Sequence, residues 1–241
     1  MFHRSEDKRQ AAALLVVELR RIRALHEARL ADHAGAADRI RLMEWQTDRL
    51  RRTYSDLVAT LRYAGAARFF LEELYGPKDF SKRDHDLDRI SPIMVRMLPA
   101  NVIETVAKAM ELNALSQELD NALLAELDPV GPDQLREADY VAAYRRCDNY
   151  DLRLQQIDLI GVLGRDLDRI VRKRFIAGAL QMMRRPAAMA GFSEMHDFLE
   201  MGFTAFREMG GADYFLTTVM TRERRILDRI VGGHAHPFEL E

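Results

Sequence analysis

Apolar residues recur every three or four positions along this chain, and no stretch keeps the two-residue alternation of a strand. Leu15, Leu19, Ile22, His26 and Leu30 form a first stripe, with Arg20, Arg21, Arg23 and Glu27 on the other faces of the same predicted helix. A longer seam follows through Ala36, Ile40, Met43, Thr47, Leu50, Tyr54, Leu57 and Leu61, and such a seam needs an antiparallel partner helix. It continues through the small residues Ala64, Gly65, Ala66 and Ala67 to Tyr75, where Gly76-Pro77 supplies a stop.

Beyond that stop, Ser81 with Asp84 reads as an N-cap and its partner, Ser91-Pro92 breaks or restarts a helix, and Asn101 with Glu104 opens another that runs to about Leu127. Asp128-Pro129-Val130-Gly131-Pro132 is the strongest internal boundary, a turn rather than a flexible linker. A helix with Tyr140 and Tyr144 comes next, then a long one seamed by Leu154, Ile157, Ile160, Leu163, Leu167 and Ile170 and ended by Arg185-Pro186 and Gly191. Two shorter helices close the chain, one around Phe198, Phe203 and Phe206 that stops at Gly210-Gly211, the other along Phe215, Val219, Ile226 and Ile230. Leu-Asp-Arg-Ile occurs at 87–90, 167–170 and 227–230, but the unequal spacings and unrelated flanks are ordinary helix chemistry and not a repeat.

These elements predict an all-α fold, a mainly antiparallel bundle of about seven to eight helices with long amphipathic members. The expected organisation is a single domain over 1–241, with candidate subbundles 1–128 and 132–233 and a tail 234–241 whose last two residues read as a cloning scar. Dimerisation through a long helix fits such a surface.

Composition narrows the function. With 36 Lys and Arg against 38 Asp and Glu, the formal charge of −2 argues against specific or general nucleic-acid binding. The apolar run 11–17 is followed at once by Glu18, so neither a signal peptide nor a membrane span is expected there. Cys147 is the only cysteine, which rules out an intramolecular disulfide and makes a reducing cytoplasm the expected location. The 31 arginines against 5 lysines point to a GC-rich bacterial genome rather than to chemistry.

No complete catalytic constellation emerges, and no catalytic residue or metal ligand set is assigned. No histidine has Glu three residues before it, Glu194 and His196 sit at a spacing that points them apart, and zinc, nucleophile-elbow and phosphate-loop patterns are missing. Asp84, Asp86 and Asp88 mimic the start of an EF-hand, yet Arg89 and Val95 occupy the required Gly and Glu positions. Asp84 and Asp88 alone share a helix face and can hold a divalent ion with His85 or Asp79, although solvated helix charges paired to Arg83 or Arg89 explain them better. His234 and His236 can bind a metal only from an extended terminus. His26, on the apolar stripe of its helix, can serve as an axial haem ligand or simply as a core histidine. Seven of the twelve methionines fall between Met182 and Met220 among Phe and Tyr, a composition that suits a pocket, a partner groove or plain core. Arg165, Arg169, Arg172, Lys173, Arg174, Arg184 and Arg185 concentrate positive charge that can meet an acidic partner.

Residues 69–84, FFLEELYGPKDFSKRD, with Phe198-Leu199-Glu200, Gly202-Phe203 and Phe206, and with Phe215-Leu216 through Arg222-Glu223, resemble a family of uncharacterised, all-helical proteobacterial proteins. The resemblance implies the fold and a bacterial origin, and it carries no assigned activity or catalytic residue. In the first of these stretches Tyr75, Asp79, Arg83 and Asp84 converge on a turn, either as a polar knot that stabilises the bend or as a ligand site at the end of the bundle. The function expected is a non-catalytic binding or scaffold protein for an unidentified protein or small molecule. The competing class is a small-molecule or cofactor-binding bundle, haem-oxygenase-like or metal-dependent.

Overall fold

The computed structural model describes residues 2–32, 35–74, 81–127 and 135–240; the side chains of 2–5, 74, 81–85, 88, 97 and 174 fall outside that description. Within it the chain is helical, with no strand. In order come α1 (Phe2–Ala31), α2 (Ala36–Thr53), α3 (Ser55–Ala59), α4 (Leu61–Phe69), a π-turn (Phe70–Leu74), α5 (Ser81–Met97) and α6 (Ala100–Glu126). They are followed by α7 (Glu137–Arg146), α8 (Tyr150–Val171), α9 (Arg174–Met189), α10 (Ser193–Met209) and α11 (Asp213–Val231).

The eleven α-helices among the described residues exceed the number the sequence pattern predicts, because two long seams are interrupted without losing their period. The first bends at Tyr54 (ψ 21°) and Thr60 (ψ 114°), which separates α2, α3 and α4. The second breaks at Lys173, whose ψ of 108° is extended, so α8 ends there and α9 begins. Conversely, Pro92 and Pro186 lie inside α5 and α9 rather than ending them. Each faces solvent, where water can satisfy the carbonyl that proline leaves without its N–H partner. Asn101 is not an N-cap: α6 starts from Pro99, whose extended ψ of 153° leads into the first turn. The glycine stops at Gly191 and Gly210 hold, while Gly76-Pro77 and the 128–132 turn lie outside the described residues. Gly191 takes φ +83°, and the N–H groups of Gly191 and Phe192 bond back to Ala188 and Ala187, a Schellman end to α9.

Packing is mainly antiparallel. α8 runs against α6 through Lys108–Asp166, Ser116–Gln156 and Arg153 on the Leu119 carbonyl, and against α11 through Tyr150–Asp228 and Arg224–Asp158. Close approach to α11 depends on Gly164, where a Cβ would lie 2.3 Å from Leu216 Cδ2. The pair α1 and α6 runs in the same direction. Lys8 donates to the Arg96 carbonyl just before α6, and Arg21 pairs with Glu118 far along it, so α1 and α6 are parallel. Ala107 and Ala114, both fully buried, let Leu15, Leu19 and Ile22 of α1 settle on α6.

Three core clusters result, and each joins residues from both sides of the 128–134 segment. Tyr54, Leu57 and Tyr63 meet Phe206, Phe215 and Leu216; Leu15 and Ile103 meet Met195; Leu42 and Leu123 meet Tyr140 and Ile226. The end of the chain belongs to the third cluster. Phe238 lies 5.5 Å from the Trp45 ring and 6.1 Å from Tyr140, while Arg229 donates to the carbonyls of His236 and Glu239. No helix among the described residues is long and apolar enough to cross a membrane.

Candidate functional site

The side chains of the turn group singled out from the sequence fall outside what the structure describes. Tyr75 and Asp79 lie outside the described residues, and Arg83 and Asp84 sit at the start of α5 with side chains that are likewise outside them. Asp86, between Asp84 and Asp88 in the same helix, is buried. His26 is half-buried on α1, and its Nδ1 accepts from Arg29 Nη2 at 3.3 Å. Cys147 is half-buried next to α7, where burial pushes its thiol up despite Arg153 nearby, the reverse of an activated nucleophile. Two members of the basic run answer to acids of their own helix: Arg169 pairs with Asp166 at 2.8 Å and Arg172 with Asp168 at 2.7 Å.

Sequence reading missed a buried polar layer where α2, α6, α7, α8 and α11 meet. Tyr54 donates its hydroxyl to Glu223 Oε1 at 2.6 Å, and Arg49 Nη1 donates to the same oxygen at 2.5 Å. Burial works against the Arg49 guanidinium, but Glu223 and the neighbouring tyrosine hydroxyls hold its pKa above the ordinary value. Nearby, Gln46 Nε2 donates to Asp120 at 2.9 Å, and Arg153 lies 4.4 Å over the Tyr144 ring. Burial raises the Asp120 carboxyl, with Gln46 and Arg153 opposing it in part, and burial likewise raises the hydroxyls of Tyr140 and Tyr144. Two arginines face two acids here, so the layer neutralises itself and fixes the register of its helices instead of holding charge ready for a substrate. Its signal in the sequence is faint, since Arg49 and Glu223 each look like ordinary polar-face residues.

The methionine-rich region divides. Met195 and Met209 are core, whereas Met182, Met183, Met189 and Met201 are exposed. The exposed set concentrates on α9. Ile176, Ala177 and Leu180 face inward and pack on the first core cluster. On the opposite side Phe175 (67% exposed), Met182 (79%) and Met189 (90%) recur every seven residues. Gly178, Ala179 and Pro186 are exposed between them, and nothing lies within 4 Å of a Cβ built at Gly178. A seven-residue spacing on one helix places these side chains along a single line. Arg185 is exposed beside that line, Arg174 occupies the same flank by register, and α9 contains no Asp or Glu. α9 is therefore apolar on two faces with a basic flank, and a helix apolar on two faces is ordinarily one covered on both.

One metal-ligating set occurs among the described residues, His196, Asp197 and Glu200 at the start of α10. No curated protein and no solved structure matches the chain. A family model does match, over residues 25–237, in keeping with the resemblance read from the sequence to an all-helical family without an assigned activity. The chain belongs to that family, described as a domain of unknown function, DUF8198.

Proposed function

We propose that this protein is a non-catalytic binding or scaffold protein that docks a partner on the outward stripe of α9. The observation that carries the reading is the line Phe175, Met182 and Met189, apolar and open to solvent on a helix already anchored by its other face. A seven-residue seam is matched best by another helix, which presents its own anchors at the same spacing. Flexible thioethers adapt to such a surface, and the basic flank selects an amphipathic helix whose polar edge is acidic.

The test is capture of a partner by the full chain from its host, repeated with Met182→Glu/Met189→Glu and with Arg185→Glu. The reading requires one stoichiometric partner, lost in the double variant, and weakened by Arg185→Glu and by raised salt. A partner that the double variant retains overturns it. Self-association of the purified chain that the double variant abolishes also overturns it, and assigns the stripe to a homodimer instead.

A further inference from the structure

His196, Asp197 and Glu200 stand on the first turns of α10 at relative positions i, i+1 and i+4, so the imidazole and the Glu200 carboxylate share a face. His196 is only 5% exposed. Its Nε2 lies 2.8 Å from the Leu180 carbonyl of α9, and because a carbonyl oxygen can only accept, Nε2 carries a proton and donates it. In the neutral ring, Nδ1 is then a bare lone pair. That atom is buried and has no hydrogen-bond partner among the described residues. It faces Asp197 Oδ1 and Glu200 Oε2, each 3.9 Å away, too far for a hydrogen bond.

One ligand atom from each of the three residues lies within 4.8 Å of the others. Three electron-pair donors that converge on one point repel one another unless a cation sits between them. Arg184 places Nε 3.9 Å from Glu200 Oε2, but its side chain is 67% exposed and free to turn away.

We propose that His196, Asp197 and Glu200 bind a divalent first-row transition metal ion, for which Zn²⁺ is the fitting probe. Zinc takes imidazole nitrogen and carboxylate oxygen at about 2.0–2.2 Å, which puts ligand atoms on a tetrahedral centre roughly 3.4 Å apart. Closing from 3.9 Å needs only small rotations of Asp197 and Glu200, whose side chains are 57% and 38% exposed. The Leu180 carbonyl supplies the outer-shell partner that fixes the tautomer of a metal-bound histidine. An imidazole with two carboxylates prefers zinc-like ions to Mg²⁺ or Ca²⁺, which favour all-oxygen sites. The remaining positions, on the exposed side, are left to water. Bound metal would tie the start of α10 to α9 through His196.

The experiment is calorimetric titration of the full chain with ZnCl₂ at fixed pH, with Co²⁺ absorption as an independent readout of coordination. It is done in a His234→Gln/His236→Gln background, because those two exposed histidines near the end of the chain can bind zinc on their own. One Zn²⁺ per chain is expected. His196→Gln, and separately Asp197→Asn/Glu200→Gln on the solvent side, should each weaken binding by about tenfold or more, the scale of perturbed metal sites. Circular dichroism confirms that the carboxylate variant folds, so that loss in it reports ligation. Excess Mg²⁺ should not compete. Absence of binding up to about 100 µM Zn²⁺, or binding that both variants retain, overturns the assignment.

Discussion

The α11 side and the α9 side of this molecule use similar residues to opposite ends. α11 sends Phe215, Leu216, Ile226 and Ile230 into the core, and closes its polar edge with Glu223 on Arg49 and Tyr54. α9 buries Ile176, Ala177 and Leu180 only partly, and leaves Phe175, Met182 and Met189 in solvent. Both helices are amphipathic by sequence. What separates them is whether a second layer of the same chain covers the other face, and that depends on packing between distant segments rather than on local period. The difference implies that substitutions on α11 act on folding, whereas those on the outer face of α9 act on association.

The sharpest break in the comparison is Glu223→Ala. It leaves the Arg49 guanidinium buried without its carboxylate and the Tyr54 hydroxyl without its short acceptor. Breaking one half of a buried pair costs about 3–5 kcal/mol. Urea denaturation read by the fluorescence of Trp45, the only tryptophan, which is stacked on Tyr140 at 3.9 Å, measures it. A loss below about 1 kcal/mol would place this layer with exposed ion pairs. The α9 counterpart, Met182→Ala, should change stability by no more than about 0.5 kcal/mol.

A matched pair of glycine substitutions sharpens the same contrast. At Gly164 of α8 a Cβ meets Leu216 Cδ2 at 2.3 Å and Cγ at 3.1 Å, and Leu216 is buried and unable to swing aside. Overpacking outweighs the gain of about 1 kcal/mol in helix propensity, so Gly164→Ala should cost about 1–2 kcal/mol net. Gly178→Ala on the outer face of α9 meets nothing within 4 Å and should instead stabilise the protein by up to about 1 kcal/mol. Opposite signs in thermal melts are required. The same sign for both would mean that α9 is as tightly enclosed as α8.

These contrasts also mark how far the sequence could be read. The helical class, the turn signals at Gly191 and Gly210, and the seams along α8 and α11 were legible because backbone preference and burial agree there. Tyr54, Thr60 and Lys173 break helices without a glycine or proline, since tertiary packing sets their backbone and local propensity does not. The Met and Phe residues of 182–220 carried one composition but divide between core and surface, a choice that periodicity cannot make. The spacing of Glu194 before His196 points the two apart and hides this site, whose carboxylates follow the histidine at 197 and 200. The polar layer was hidden for a related reason: Asp120, Arg153 and Glu223 each sit on a helix with many charges, and only the fold decides which of them lose water.

Asp120 allows the smallest and most specific test of that layer. Its carboxyl is raised above the ordinary value because burial penalises the charged form more than Gln46 and Arg153 favour it. The folded chain therefore keeps this proton to a higher pH than the unfolded chain does. As pH rises past the unfolded value, about 3.9, the unfolded state ionises first and the folded state loses stability. The loss is complete once pH passes the raised folded value, and it persists at neutral pH. Asp120→Asn removes the charge and keeps a carbonyl to accept from Gln46 Nε2. At pH 7 the variant should be more stable than the parent by roughly 1 kcal/mol, the scale of a desolvated polar group. The advantage should shrink to nothing as pH falls below the unfolded value, because both chains are then neutral at this position. Should the variant be less stable at pH 7, the attraction between Asp120 and Arg153 outweighs burial, and the layer is held together by its charges and not merely tolerant of them.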